Sequence, residues 1–421
     1  MDKTSNVVFP DENEKKRYFA EARFLRAYWH FELCRIFGDI PVVDKIIDFN
    51  NPDVIQRTAL QQVGEWIQQE MEAVVNDIPL MAGMDENKDW PRVSRETVWG
   101  IQARVALYFL DYQTARDKSG LLISEVNKTG TIGLEDQYQD IFTNVKTRSK
   151  ESIWAIPHTD TDGNGDGTII PVYCSSRNSG GWGFNCPTQS LVDEFEAGDP
   201  RILFTITETG DVFPSNDTEN GKEVQNHTGY STGDGFHSRK VFLIQPKRSP
   251  RGGSNQAIIF NLLRYSDVLL MYAEALYETG GDKTEVANYI NMVRERAGKS
   301  RKYDIEAYGT TEQEKINSRA TRIPNIALPK VTASDNLLKA IQHERRVELA
   351  MENHRFFDLK RWAKKYGPET YMDMIRKSKE YDKNGNYLGT VTITGKKFEA
   401  YLLPQQEIDR AGGTIKQNEG W

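Results

Sequence analysis

The chain has 421 residues, of which 54 are Lys or Arg and 61 Asp or Glu, giving a formal net charge of -7. Mean hydropathy is -0.63, yet 10% of residues are aromatic, so the chain is polar but can still build a sizeable core. This mildly acidic, mixed-sign composition excludes nucleic acid as the main partner, because phosphate backbones need clustered basic charge. No apolar run approaches the roughly 18–20 residues that span a bilayer.

The elements read as mostly helical. Residues 12–37 form a first helix, in which Tyr18, Ala22, Leu25, Trp29, Leu33 and Ile36 recur at spacings of three and four and share one face. Gly38 stops it and Pro41 follows. A second helix starts at Thr58, where Thr58 and Gln61 make a capping-box pattern, and its stripe is Val63, Ile67, Met71, Val74 and Ile78, ending at Pro79. A third starts near Ser94 and carries Val98, Ile101, Val105, Tyr108 and Tyr112. Residues 130–256 are rich in Gly, Asn, Asp, Ser and Thr, with short apolar stretches at 153–156 and 241–244. That is too long for a structureless loop, and it reads as a second lobe of loops and short strands laid over the helices. Helices resume at Leu262: residues 263–279 end at Gly280-Gly281, residues 284–297 close at Gly298, and a further helix runs over 334–365. Asn384-Gly385-Asn386 within 379–401 is a hairpin signal.

The fold class is therefore mainly α, a tetratricopeptide-like helical-repeat scaffold with a loop-rich lobe containing short strands. It divides into a helical part at 1–129, the irregular lobe at 130–256 and a second helical part at 257–421. Residues 1–10 (MDKTSNVVFP) hold no basic start, apolar stretch or small-residue cleavage site, so no signal peptide is read there. Of Cys34, Cys174 and Cys186, the last two either pair in an exported chain or stand as free thiols.

Several blocks resemble the SusD/RagB family. They are Phe24-Leu25-Arg26-Ala27-Tyr28-Trp29 with Ile36-Phe37-Gly38-Asp39-Ile40-Pro41, then Ala103-Arg104-Val105-Ala106-Leu107-Tyr108. Pro187-Thr188-Gln189-Ser190-Leu191-Val192-Asp193 with Asp199-Pro200-Arg201 follows, and Arg264-Tyr265-Ser266-Asp267 running to Ala275 is the most specific. Glu344-Arg345-Arg346-Val347-Glu348-Leu349, Arg355-Phe356-Phe357-Asp358 and the closing Gln417-Asn418-Glu419-Gly420-Trp421 complete the series. The resemblance implies a non-catalytic, surface-exposed outer-membrane lipoprotein that captures glycan and acts as the lid of a SusC-like TonB-dependent transporter. It also implies a signal peptide, a lipidated cysteine and first helices ahead of Arg23, so the membrane anchor is expected to be missing from an N-terminally truncated chain. No cofactor is required.

Sugars offer flat C–H faces to aromatic rings and hydroxyls to a few placed polar groups. Arg177, Asn178, Trp182, Phe184 and Asn185, in a glycine-rich segment, offer both, with Tyr173 nearby. Relatives carry a Gly-Trp at this place, and the plainer alternative is a Trp182 packed between the lobe and the helices. Tyr230, Phe236 and Trp90 are weaker loop candidates, whereas Trp29, Trp66, Trp99 and Trp362 belong to helices. Asp162, Asn164 and Asp166 reproduce the start of a calcium loop. Tyr173 stands where its bidentate Glu should be, so a solvated turn is the plainer reading and calcium completed from elsewhere stays open.

His343-Glu344 begins like HExxH, but Val347 removes the second imidazole. Two carboxylate sets could raise glycosidase chemistry. Asp193, Glu194, Glu196 and Asp199 lie in the lobe, and Glu344, Glu348 and Glu352 form a helical row interleaved with arginines. The row reads as salt bridges that lock helices together. A carbohydrate-active hydrolase, a peptide-uptake lipoprotein and a cytosolic scaffold are the rival functions.

Overall fold

The structure is a computed structural model. It describes residues 9, 11–46, 56–143, 148–160, 166–177, 180–214, 222–224, 235–243, 255–300, 323–324, 326–368, 371, 379–381, 387–390, 397 and 399–421. In chain order come α1 (Glu12–Phe37), α2 (Leu60–Glu72), α3 (Arg95–Tyr108) and α4 (Tyr112–Thr129). The middle holds β1 (Ser152–Pro157), α5 (Ile170–Cys174), α6 (Arg201–Thr205), β2 (Ile206–Glu208), β3 (Val212–Pro214), β4 (Lys222–Val224), β5 (Phe236–Ser238) and β6 (Ile259–Arg264). Then follow α7 (Tyr265–Glu278), α8 (Lys283–Lys299), α9 (Leu337–Glu348), α10 (Arg355–Tyr366), β7 (Lys379–Tyr381), β8 (Tyr387–Thr390) and α11 (Gln405–Arg410). Among the described residues the strands pair only two by two, all antiparallel: β1 with β6, β2 with β5, β3 with β4, β7 with β8. The fold is thus a helical scaffold with small sheets.

The chain forms two compact units. One comprises residues 1–122, 357–376 and 392–421, and the other 123–356 and 377–391. The three segments read from the sequence are consecutive, whereas these units interleave along the chain.

In the first unit α1 packs on α2 and α3. Its buried side carries Ala20, Phe24, Ala27, Tyr28, Phe31 and Cys34, facing a core that includes Val63, Ile67, Met71, Val98, Ile101 and Val105. The stripe read from the spacing is the outer face: Tyr18, Leu25, Leu33 and Trp29 are exposed, Trp29 at 58%. The helix is apolar on both sides, and the side bearing small Ala20, Ala27 and Cys34 is the one its neighbours approach. Spacing alone does not separate two apolar faces.

The Thr58–Gln61 box does not form. Thr58 instead makes a backbone bridge with Ile40, Ala59 takes the cap position, and the Asp39 carboxylate accepts the Leu60 N–H at 2.8 Å. The helix ends at Glu72 rather than near Pro79, yet the whole stripe through Val74 and Ile78 is buried. Ser94 does cap α3, in a reciprocal box with Thr97. The closing segment returns to the end of α1. The Tyr401 N–H donates to Ile36 O at 2.9 Å, Asn418 donates to Phe37 O, and the Arg57 guanidinium donates to the Asp39 and Lys416 carbonyls and to Asn418.

In the second unit α7 and α8 form the short-looped pair, with Asp282 capping α8, and α9 packs on both. Ala273, Leu276, Val286, Ala287, Ile290, Leu337 and Ile341 are their shared core. Two expectations are corrected here. Residues 262–264 end the strand β6 instead of beginning a helix, because they pair with β1. The single helix expected over 334–365 is two, broken where Met351 and Asn353 adopt left-handed backbone at φ 64 and 65. The break carries Glu352 to Arg264 and Lys240.

Candidate functional site

Aromatic side chains gather beside α5, a single helical turn opened by Pro171. Beyond it the chain doubles back. Trp182 N–H donates to Val172 O at 3.0 Å, Gly183 to Ser175 O at 2.9 Å, Phe184 to Tyr173 O at 2.7 Å and Gly181 to Ser176 O at 2.9 Å. Gly181 is required for this fit, since a Cβ there would stand 2.3 Å from the Ser175 carbonyl oxygen. Gly183 (φ 68) and Asn185 (φ 50) take left-handed backbone, which turns the segment around Trp182 and Phe184.

The result is a ring cluster on the surface. Tyr173 and Trp182 centroids are 4.6 Å apart at 38°, Trp182 and Phe184 5.9 Å apart at 88°, and Tyr173 and Phe184 6.2 Å apart. Trp182 is 46% exposed and Phe184 52%. Trp182 is therefore not packed away. Arg177 is exposed, and its Nε–H donates to Trp182 O at 3.1 Å, so the guanidinium is held to the backbone of one of the two exposed rings. Asn185, next to Phe184, is exposed. Asn178 lies outside the described residues. The structure thus brings together Tyr173, Arg177, Trp182, Phe184 and Asn185.

The remaining candidates fall elsewhere. Phe236 is buried in β5, Trp90 is half-buried, and Tyr230 lies outside the described residues. So do Asp162 and Asn164. Asp166 is described, and its backbone carbonyl accepts the Thr159 N–H at 3.2 Å. Among the described residues no cluster of three or more His, Cys, Asp or Glu is placed to hold a metal. The three thiols are free, with Cys34 and Cys174 buried. The Cys186 Sγ lies 3.6 Å from His237 Nδ1, behind the ring cluster, and burial holds that imidazole below its ordinary pKa. Sequence reasoning did not single out Val172, Ser175 and Ser176, whose carbonyls fasten the platform; the glycine run opposite them was the available signal.

The same unit buries a dense ionic network. Arg201, fully buried, pairs with Asp199 at 2.7 Å, Glu344 at 2.5 Å and Glu348 at 3.0 Å. Arg264 reaches Glu151 at 2.7 Å, Glu348 at 2.5 Å and Glu352 at 2.7 Å, and Arg296 joins Glu151 and Glu348. Lys240 donates to the Glu348 carbonyl and to Glu352. Burial drives the Lys240 ammonium down to about 8 against the pull of Glu352. Burial likewise opposes the charged form of Glu348, but the surrounding guanidiniums of Arg296, Arg264 and Arg201 hold its pKa far below the usual carboxylate range. The expected row of Glu344, Glu348 and Glu352 is thus a set of locks, though with partners from α6, β6 and α8 instead of the interleaved Arg345 and Arg346. Those two pair with Asp267 and Glu194.

Glu194 and Glu196 of the lobe are committed in the same way, whereas Asp193 is exposed and accepts from the Gln189 amide. Glu194 accepts from His343 at 2.8 Å and from Arg346, and Glu196 pairs with Arg294 at 2.7 Å and lies 3.4 Å from His343. Burial alone would lower the His343 pKa, but its hydrogen bond to the Glu194 carboxylate and its closeness to Glu196 raise it to about 9. The hydrogen bond from His343, with Arg294, lowers Glu196 to about 2. These carboxylates are engaged with cations inside the fold.

Comparison with known proteins agrees with this architecture. Residues 150–421 match the model of the SusD family, and residues 4–107 match a SusD-like model described as starch-binding associating with outer membrane. The chain belongs to the SusD family. It is similar to the SusD-like protein P2 of Formosa agariphila, at 25% identity over 99% of this chain and 76% of that one. Its fold is similar to a SusD-like carbohydrate binding protein from Bacteroides fragilis, with TM-score 0.74 and 22% identity, covering 95% of this chain and 80% of the other. It is also similar to surface glycan-binding protein A from Bacteroides thetaiotaomicron in complex with laminarihexaose, with TM-score 0.72 and 20% identity over 98% and 80% of the two chains.

Proposed function

We propose that this chain is a non-catalytic glycan-capture protein of the cell outer membrane, held at the surface by a lipid anchor in its full-length precursor. It would deliver oligo- or polysaccharide to a SusC-like TonB-dependent transporter. The observation that carries this reading is the exposed ring cluster of Tyr173, Trp182 and Phe184 in a member of a family whose solved relative binds laminarihexaose. Sugar C–H faces stack on such rings, and Arg177 and Asn185 at the margin offer polar contacts to hydroxyls. Of the lobe carboxylates, Glu194, Glu196 and Asp199 are tied up by arginine and histidine, which favours capture over a hydrolase.

The test is calorimetric titration against a panel of soluble polysaccharides and oligosaccharides, with chromatography of each mixture afterwards. Binding without product is expected, and Trp182→Ala should weaken it by about tenfold or more, equivalent to ~1.4 kcal/mol. Because Trp182 is half exposed, that variant should keep its melting temperature, a surface change being within about 0.5 kcal/mol. Product would convert the reading to a hydrolase, and a platform variant that binds as before would move the site elsewhere. Adding chelator to the melting experiment tests calcium at the same time: an unchanged melting temperature would argue against a tight site at Asp162–Asp166.

A further inference from the structure

The glycan reading leaves the ligand's charge open, and the platform carries one feature that bears on it. From residue 167 to residue 192 the chain holds a single charged side chain, Arg177. That cation lies within a protein of net charge -7 and is bonded to the backbone of the exposed Trp182, one ring of the surface cluster. Its Nε–H is spent on the Trp182 carbonyl at 3.1 Å. The tether fixes the guanidinium plane, while the two η nitrogens have no partner among the described residues, and no carboxylate pairs with this side chain there. Six other arginines of the unit behave differently: Arg201, Arg264, Arg294, Arg296, Arg345 and Arg346 are each matched to carboxylates, whereas Arg148 and Arg239 donate to backbone carbonyls.

A pre-oriented guanidinium fork is a bidentate receptor for planar or tetrahedral oxyanions, and its hydrogen bonds are charge-assisted. Held at the edge of a stacking surface, it meets a substituent on a sugar whose face lies on the rings. We infer that the ligand of this platform is an acidic glycan, one whose sugars carry carboxylate or sulfate groups, with Arg177 gripping the anionic group while Trp182 stacks on the ring. This rests on the glycan reading above.

Affinity gel electrophoresis separates the two. The protein is run through gels containing polygalacturonate or a sulfated galactan, and through gels containing laminarin, pullulan or xyloglucan as neutral controls. A protein of net charge -7 is repelled by acidic polymer overall, so retention there reports a local site. Expected is retention by at least one acidic gel, weakened by 0.5 M salt as for any solvent-exposed ion contact. Arg177→Ala should lower that affinity by about tenfold to a hundredfold, Arg177→Lys should retain part of it, and both should melt like the parent. Retention by neutral gels alone overturns the acidic ligand, acidic retention unchanged in Arg177→Ala overturns its capture by Arg177 at this platform, and either result leaves glycan capture standing. No retention by any gel overturns both.

Discussion

The ionic network and the aromatic platform sit in the same unit and use arginine in opposite ways. In the network a guanidinium is out of water, so each one is surrounded by carboxylates; Arg201 and Arg264 each touch three. An unmatched charge there would cost several kcal/mol, on the order of the protein's whole stability. On the platform Arg177 is exposed, hydration covers its charge, and it can remain without a carboxylate. Burial therefore decides whether an arginine locks the fold or is offered to a ligand, and three separate perturbations should expose the difference.

The largest effect is expected at the centre of the network. Glu348→Gln keeps the shape but removes the carboxylate shared by Arg201, Arg264 and Arg296, leaving buried positive charge uncompensated. Chemical denaturation should show a loss of about 3–5 kcal/mol. A loss below about 1 kcal/mol would mean that water reaches the cluster and that the contrast with Arg177 is false.

A smaller effect is expected at the platform's hinge. Gly181→Ala forces a methyl group against the Ser175 carbonyl, and the segment bearing Trp182 must shift. The cost should be about 1–3 kcal/mol, as for other overpacked sites. Glycan binding should fall with it, and unchanged binding would mean that ring placement does not matter.

The smallest effect belongs to the clamp between the lobe and α9. The folded His343 pKa of about 9 exceeds its ordinary 6.5, so its contribution is complete below pH 6.5 and disappears as pH rises through 9. Glu196, lowered from 4.5 to about 2, contributes above pH 4.5 and loses that contribution as pH falls toward 2. The clamp is thus strongest between pH 4.5 and 6.5. His343→Gln should cost roughly 1 kcal/mol in that window and nothing measurable near pH 10, as read by melting temperature against pH. Equal loss at both pH values would make His343 a packing residue.

Much of this was legible in the sequence where one physical signal dominated. Helix α1 runs from Glu12 to Phe37 as its periodicity and Gly38 indicate, and Ser94 caps α3 as its side chain suggests. The ring cluster was legible too, because glycines around a tryptophan leave the backbone free to present it. The rest needed tertiary partners. Which face of α1 is buried depends on what packs there, since Phe24 and Leu25 are equally apolar and only one is enclosed. The break after α9 depends on Arg264, which is 88 residues from Glu352 in the chain. Arg177 and Arg201 are alike as letters, and only their burial separates their roles.

The return of residues 401–418 to the end of α1 has a consequence for synthesis. The carbonyls of Ile36 and Phe37 are met by Tyr401 and Asn418. A ribosome adding about 5–20 residues per second therefore makes α1 roughly 20–80 s before its last contacts exist. Until then, the end of this long helix is held by partners made earlier, such as the Arg57 guanidinium on Phe37 O and the Tyr108 hydroxyl on Arg35 O, and its closing contacts come last.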